Sequence, residues 1–91
     1  MKRKLNKSEK IKTNVLEGLG KVIRARRKDL KLTQEELAEF AGCGVVFIYE
    51  AEIGKETIRL DKLLDVLKIL GLQLRLENGK SKLAVTEGLS L

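Results

Sequence analysis

The stretch ELAEFAGCGVVFIYEAEIGK (residues 36–55) decides how this chain folds. Leu37, Phe40 and Ala41 recur at the spacing of one helix face and are expected to point inward. Just upstream, Thr33 can cap a helix, and Glu36 stands where its carboxylate reaches back to the cap's amide. Gly42-Cys43-Gly44 interrupts this short helix, because glycine tolerates the left-handed conformation that ends helices. A second short helix is expected from Val45 to about Glu52, with Gly54 as its stop. The middle of the stretch, Val45-Val46-Phe47, carries no side chain that can hydrogen-bond.

Working outward, NVLEGLGKVIRARRKDLK (residues 14–31) places Val15, Leu16, Leu19, Val22, Ile23 and Leu30 at helical spacing. Asn14 with Glu17 resembles a capping box, but Gly18 and Gly20 weaken the first turn, so the firm helix is expected from near Leu19. On the other side, TIRLDKLLDVLKILG (residues 57–71) is an amphipathic helix. Its stripe is Leu60, Leu63, Leu64, Leu67 and Leu70, broadened by Val66 and Ile69, and Gly71 is placed to end it.

The period then changes from helical to alternating. LQLRLE (residues 72–77) puts Leu72, Leu74 and Leu76 on one face of a strand. Asn78-Gly79 signals a tight turn, and KSKLAV would return with Leu83 opposite Leu74 and Val85 opposite Leu72. A lone two-stranded hairpin is marginally stable, so this strand needs cover from the helices or from a second copy. A dimer is the favoured solution, with Leu72, Leu74 and Leu76 as its contacts.

At 91 residues the chain suits one small domain with a thin core. The fold class that emerges is mainly α: a bundle of four to five helices with a C-terminal β-strand or hairpin at a dimer interface. The expected organisation is a flexible basic arm (1–12), a helical domain (13–71), a strand or hairpin for dimerisation (72–86) and a frayed tail (87–91). No run of 18 apolar residues is present, so no membrane span is expected, and no apolar segment follows the charged N-terminus as a secretory signal requires. One cysteine and no histidine leave no internal disulfide, no zinc site and no histidine catalysis. No grouping of acid, base and nucleophile reads as catalytic, so neither an enzyme, a cofactor nor a small-molecule ligand is expected. Such a chain suits a reducing cytoplasm.

The net charge of +6 is unevenly spread. Residues 1–31 hold 12 Lys/Arg against 3 Asp/Glu, and residues 32–91 hold 7 against 10. A basic end facing a polyanion explains this, and so does a solvated tail that keeps the protein soluble.

LTQEELAEFAG followed by IYEAEIGK resembles the Cro/lambda-repressor-like (XRE-type) helix-turn-helix family over residues 19–71. The continuation RLDKLLDVLKILGLQLRLE is similar to its HipB-like antitoxin branch, in which a strand after the last helix joins the dimer partner. The resemblance implies a lambda-repressor-like bundle that binds double-stranded DNA, with the second short helix in the major groove. It implies base-facing roles for Val45, Val46 and Glu50, beside which Tyr49 could reach a base edge or a phosphate. It places Thr33, Gln34, Gly44 and Lys55 against phosphate, with Arg24 nearby. Arg26 and Lys28 are read as solvated or near phosphate. It matches Arg27 and Glu52 to a structural ion pair, Ile48 to a core position, and Cys43 to a small buried filler. The implied partners are a near-palindromic operator, a second copy of the chain, and a HipA-like kinase toxin.

The chain departs from this family where base reading should reside. Residues 44–52, GVVFIYEAE, contain no Lys, Arg, Asn, Gln, Ser or Thr. Valine can touch a thymine methyl and Glu50 can accept from cytosine, but no bidentate pair to guanine or adenine can be built here. Three readings stay open. In the first, the helix serves an operator through apolar contacts, DNA shape and phosphate anchors. In the second, it binds DNA with little selectivity until a partner assists. In the third, it packs on protein, as an exposed apolar patch would suggest. The expected function is a dimeric transcriptional repressor acting as the autoregulating antitoxin of a type II toxin–antitoxin operon. The alternatives are a phage-type or housekeeping repressor without a toxin, and a protein-interaction module with a degenerate reading helix.

Overall fold

A computed structural model of the chain describes residues 14–78 and 84–87. The expected arm (1–12), Gly79 of the expected turn and residues 88–91 of the tail lie outside them. The described elements are α1 (Asn14–Asp29), α2 (Gln34–Ala41), α3 (Val45–Ile53), α4 (Leu60–Ile69), β1 (Leu72–Arg75) and β2 (Ala84–Glu87). Helix α1 packs on α3, α2 packs on both α3 and α4, and α4 carries β1.

The core lies where these helices meet. Ile23, Leu37, Ile48, Val66, Leu67 and Leu70 are fully buried, and Leu19, Leu63 and Leu72 are nearly so. Each such side chain contributes about 1.5–3 kcal/mol when withdrawn from water. Leu16, Cys43, Phe47, Ile58 and Leu74 pack against this cluster while keeping some exposure. Burial pushes the Cys43 thiol up in pKa.

The helix ends follow from local chemistry. Thr33 Oγ1 accepts from the Glu36 amide at 3.0 Å, and Glu36 Oε1 accepts from the Thr33 amide at 2.9 Å. At the far end of α2, Gly42 is left-handed with φ 72°, and the Cys43 amide bonds back to the Ala38 carbonyl at 3.0 Å. Gly54 ends α3 in the same way with φ 80°, the Lys55 amide reaching the Glu50 carbonyl at 3.0 Å. After α1 the same loop recurs with Lys31 in the left-handed position at φ 59°, and the Leu32 amide bonds to the Arg27 carbonyl at 3.1 Å. A side chain in that position has a steric cost that glycine lacks.

Several expectations are corrected. Helix α1 is already helical at Asn14, ahead of Leu19, and α4 begins at Leu60 rather than near Thr57. Phe40 is 60% exposed and Ala38 takes its place in the core. Leu37, Ala38 and Ala41 span one arc of α2, and Phe40 lies about 60° outside it. Val22 on α1 and Leu30 just past its end are exposed, as are Leu60, Leu64 and Ile69 on α4. The inner side of α1 near its end is taken instead by Arg26 and Arg27. Arg26, read from sequence as solvated or near phosphate, donates through Nε to the Leu70 carbonyl at 2.8 Å. That bond satisfies a carbonyl that the end of α4 leaves without a helical partner.

The strand region also differs in detail. β1 stops at Arg75, so Leu76, at 84% exposure, lies beyond the strand rather than on its buried face. β1 pairs antiparallel with β2 of the same chain, with Leu74 opposite Val85 and Leu72 opposite Glu87. The register is therefore displaced by two residues from the one a tight Asn78-Gly79 turn would impose, and Leu83, expected opposite Leu74, lies outside the described residues. Leu72 is buried and Leu74 packs against the core, so the face of β1 that carries them is covered by its own chain. β2 reaches Glu87, one residue into the segment expected to fray.

Candidate nucleic-acid interface

Helix α3 is apolar on both sides but only half covered. Ile48, Ala51 and Glu52 are buried, and Phe47 is half-buried against the core. Val45, Val46, Tyr49 and Ile53 are exposed, with Val46 at 64% and both Tyr49 and Ile53 at 54%. At about 100° per residue these four, together with half-buried Glu50, occupy one continuous arc of roughly 140°. A helix that is apolar all round is ordinarily buried all round, so an open side of this kind marks a contact surface. Phe47 therefore leaves the apolar triplet that the sequence suggested, and Ile53 joins it. Ile53 follows Tyr49 by one helical turn and Val45 by two, a spacing visible in the sequence once α3 is known to extend that far.

What holds this face outward is a polar anchor beneath it. Arg27 on α1 donates to Glu52 on α3 through Nε at 2.6 Å and Nη2 at 3.1 Å, a two-point pair. Its Nη1 donates to the Leu32 carbonyl at 2.8 Å, tying down the loop that leads to α2. Gln34, the first residue of α2, donates through Nε2 to Glu52 Oε1 at 3.1 Å. One carboxylate thus joins three elements. Hydrogen bonding to Glu52 raises the Arg27 pKa further above its high ordinary value, against the opposing pull of desolvation. Among the described residues no buried side-chain nitrogen or oxygen lacks a partner.

Close packing of backbones completes the support. A β-carbon on Gly20 would lie 2.6 Å from the Ala51 carbonyl oxygen and closer still to that of Glu52. A β-carbon on Gly54 would lie 2.7 Å from Cα of Glu17. Both glycines let α1 and α3 approach more closely than any other residue allows. The sequence showed Gly20 only as a weak helix former, since close approach depends on which helix lies opposite.

The helix-turn-helix family matches residues 23–76, more than half of the chain. The chain belongs to the helix-turn-helix family. An HTH-type transcriptional regulator of Sinorhizobium fredii, y4mF, is 45% identical over 53 residues, which cover 58% of this chain and 70% of that protein. The clp gene regulator ClgR of Corynebacterium glutamicum is similar in structure at 30% identity with a TM-score of 0.58. The match covers 66% of this chain and 77% of that one, or 64% of it in a second crystal structure of the same regulator. The fold is thus that of the lambda-repressor-like regulators, and the chain is a helix-turn-helix transcriptional regulator of a family that binds double-stranded DNA.

In this helix-turn-helix, α2 is the first helix, Gly42–Gly44 the turn, and α3 the second. Thr33 is exposed at the start of α2; its oxygen accepts the capping bond, and its hydroxyl proton stays available to donate. The amides at that helix start favour an anion, although Glu35 and Glu36 in the same turn oppose one. Gly44 stands before α3 in extended backbone with no side-chain cap. Lys55, just past α3, bridges to Glu50 Oε2 at 3.0 Å. That bridge is exposed, so it holds weakly and can yield to a phosphate. Arg24 lines an open cleft beside α3 with Arg27, Gln34, Tyr49, Glu52 and Ile53. Among the described residues no grouping of His, Cys, Asp and Glu could hold a metal ion, and no helix is long and apolar enough to cross a membrane.

Proposed function

We propose that two copies of this chain bind a near-palindromic operator and repress transcription from it. Each presents α3 to a major groove, the two helices about one DNA turn, roughly 34 Å, apart. One observation carries the reading: the exposed arc of Val45, Val46, Tyr49, Glu50 and Ile53 is the outward side of the second helix of a helix-turn-helix. In this reading Val45, Val46, Tyr49 and Glu50 meet base edges. Thr33, Gln34, Gly44, Lys55 and Arg24 face phosphates and set the register on the duplex. Gln34 would do so through its backbone and free carbonyl end, because its amide nitrogen is engaged by Glu52.

The dimer draws on the apolar surface left by α4 and β1. Leu60 and Leu64, one helical turn apart, are exposed with Leu76 beyond the strand. In the two-stranded sheet, β1 has one edge without a strand neighbour among the described residues. Leu74 and Leu76 are the strand contacts a second copy can reach, whereas Leu72 belongs to the core of its own chain. The antitoxin role and a HipA-like kinase toxin as partner rest on the Leu-rich helix followed by a strand, RLDKLLDVLKILGLQLRLE. The alternative is a regulator of the same kind without a toxin.

The test is titration of the full-length protein onto the duplex upstream of its own gene at two salt concentrations, with the mass of the complex measured. A steep loss of affinity with salt and a two-chain complex are expected. Absence of binding at low salt, or a single chain on the operator, would overturn the reading. Co-purification with the product of the neighbouring gene decides between antitoxin and toxin-free regulator.

A further inference from the structure

We infer that α3 selects its duplex by the C5 methyl groups of pyrimidines in the major groove, thymine foremost, rather than by a hydrogen-bond code. The inference rests on the DNA-binding reading above and specifies what the reading helix recognises. Base edges in the major groove offer hydrogen-bond donors, acceptors and, on thymine, a methyl group. The exposed arc of α3 is matched to the last of these. Val45, Val46 and Ile53 present only carbon, and Tyr49 contributes a ring with a single hydroxyl. Glu50 is the one carboxylate on the arc, and one of its oxygens is already held by Lys55 at 3.0 Å. No amide or guanidinium stands on the arc, so the bidentate contacts to adenine and guanine have no donor there.

Charge complementarity assigns this apolar face to a nucleic acid rather than to an apolar protein groove. Arg24 lies in the cleft beside Tyr49 and Ile53, and Lys55 follows the end of α3. Apolar side chains flanked by cations suit a groove with methyls on its floor and phosphates on its rims. Phe47 packs inward, so it does not block the approach of Val45 and Val46.

5-Methylcytosine carries the same methyl at the same place, and the test separates it from thymine. Duplexes are selected by the full-length protein from a random library, then remade in four forms. The thymines within the selected site are kept, replaced by uracil, replaced as pairs by cytosine–guanine, or replaced as pairs by 5-methylcytosine–guanine. Uracil keeps every hydrogen bond of thymine and loses only the methyl. The expected loss on uracil is about fourfold for each methyl contacted. Cytosine should lose at least as much, and 5-methylcytosine should recover most of it. Val46→Ala, a change at an exposed position, should weaken binding to the thymine duplex and narrow the gap between thymine and uracil. Equal affinity for thymine and uracil overturns this inference and leaves the DNA-binding reading standing. A thymine–uracil gap unchanged in Val46→Ala also overturns it, by moving the methyl contact off α3. Failure to bind any duplex overturns both readings and assigns the arc to a protein interface.

Discussion

A β-carbon added to Gly20 would collide with the main-chain carbonyl of Glu52, so α1 and α3 touch backbone to backbone at that point. Gly18, two residues earlier in the same helix, would meet nothing within 4 Å. The pair makes a sharp comparison. Gly20→Ala is expected to cost about 1–3 kcal/mol by forcing the helices apart. Gly18→Ala is expected to gain about 0.5–1 kcal/mol through better helix propensity. Urea midpoints of the two variants check this, and a loss in Gly18→Ala equal to that in Gly20→Ala would contradict the packing described.

Removing either partner of the Arg27–Glu52 pair should be far worse than removing both. The side chains are 10% and 4% exposed, so a lone survivor is a nearly buried, unpaired charge. Arg27→Met or Glu52→Leu alone is expected to cost about 3–5 kcal/mol. The double variant should be more stable than the sum of the two losses allows. Because Arg27 has a raised pKa when folded, its contribution is complete at all ordinary pH values and would fade only in strong alkali. A full double-mutant cycle in urea at neutral pH gives the coupling; strict additivity would mean that the pair contributes no interaction.

Lys31→Gly should stabilise the protein. Lys31 has φ 59° at the end of α1, where glycine carries no penalty. The side chain is exposed and no packing is lost. The expected gain is about 1 kcal/mol, reduced by the greater freedom of glycine in the unfolded chain. Thermal unfolding should show a rise in Tm; a fall would mean that the aliphatic stem of Lys31 covers more of the surface than its exposure indicates.

Lys55→Ala is expected to weaken binding nearly equally across DNA sequences and to flatten the dependence of log affinity on log salt by about one charge. Stability should change by less than about 1 kcal/mol, since the bridge to Glu50 is exposed. Binding curves on the selected operator and on a scrambled duplex at three salt concentrations separate the two effects. An unaltered salt slope would remove Lys55 from the phosphate contacts.

Much of the architecture could be read directly from the chain because it is local. The Thr33–Glu36 capping box and the glycine stops at Gly42 and Gly54 depend on residues within one turn of each other. So does the change to alternation at Leu72. The two-helix device and its polarity were therefore legible before any contact was known, and so was the poverty of hydrogen-bonding groups on α3.

What the sequence left undecided is which side of each apolar stripe finds cover, and only the tertiary structure settles that. Phe40, Leu60 and Leu64 have the right spacing for burial yet are exposed, because no element among the described residues covers their sector of the helix. Arg26 has the wrong polarity for an inner face yet occupies one, because the Leu70 carbonyl waits there as an acceptor. The hairpin register and the close approach at Gly20 are likewise relations between distant segments. Periodicity fixes the shape of one element; the match between two surfaces belongs to neither alone.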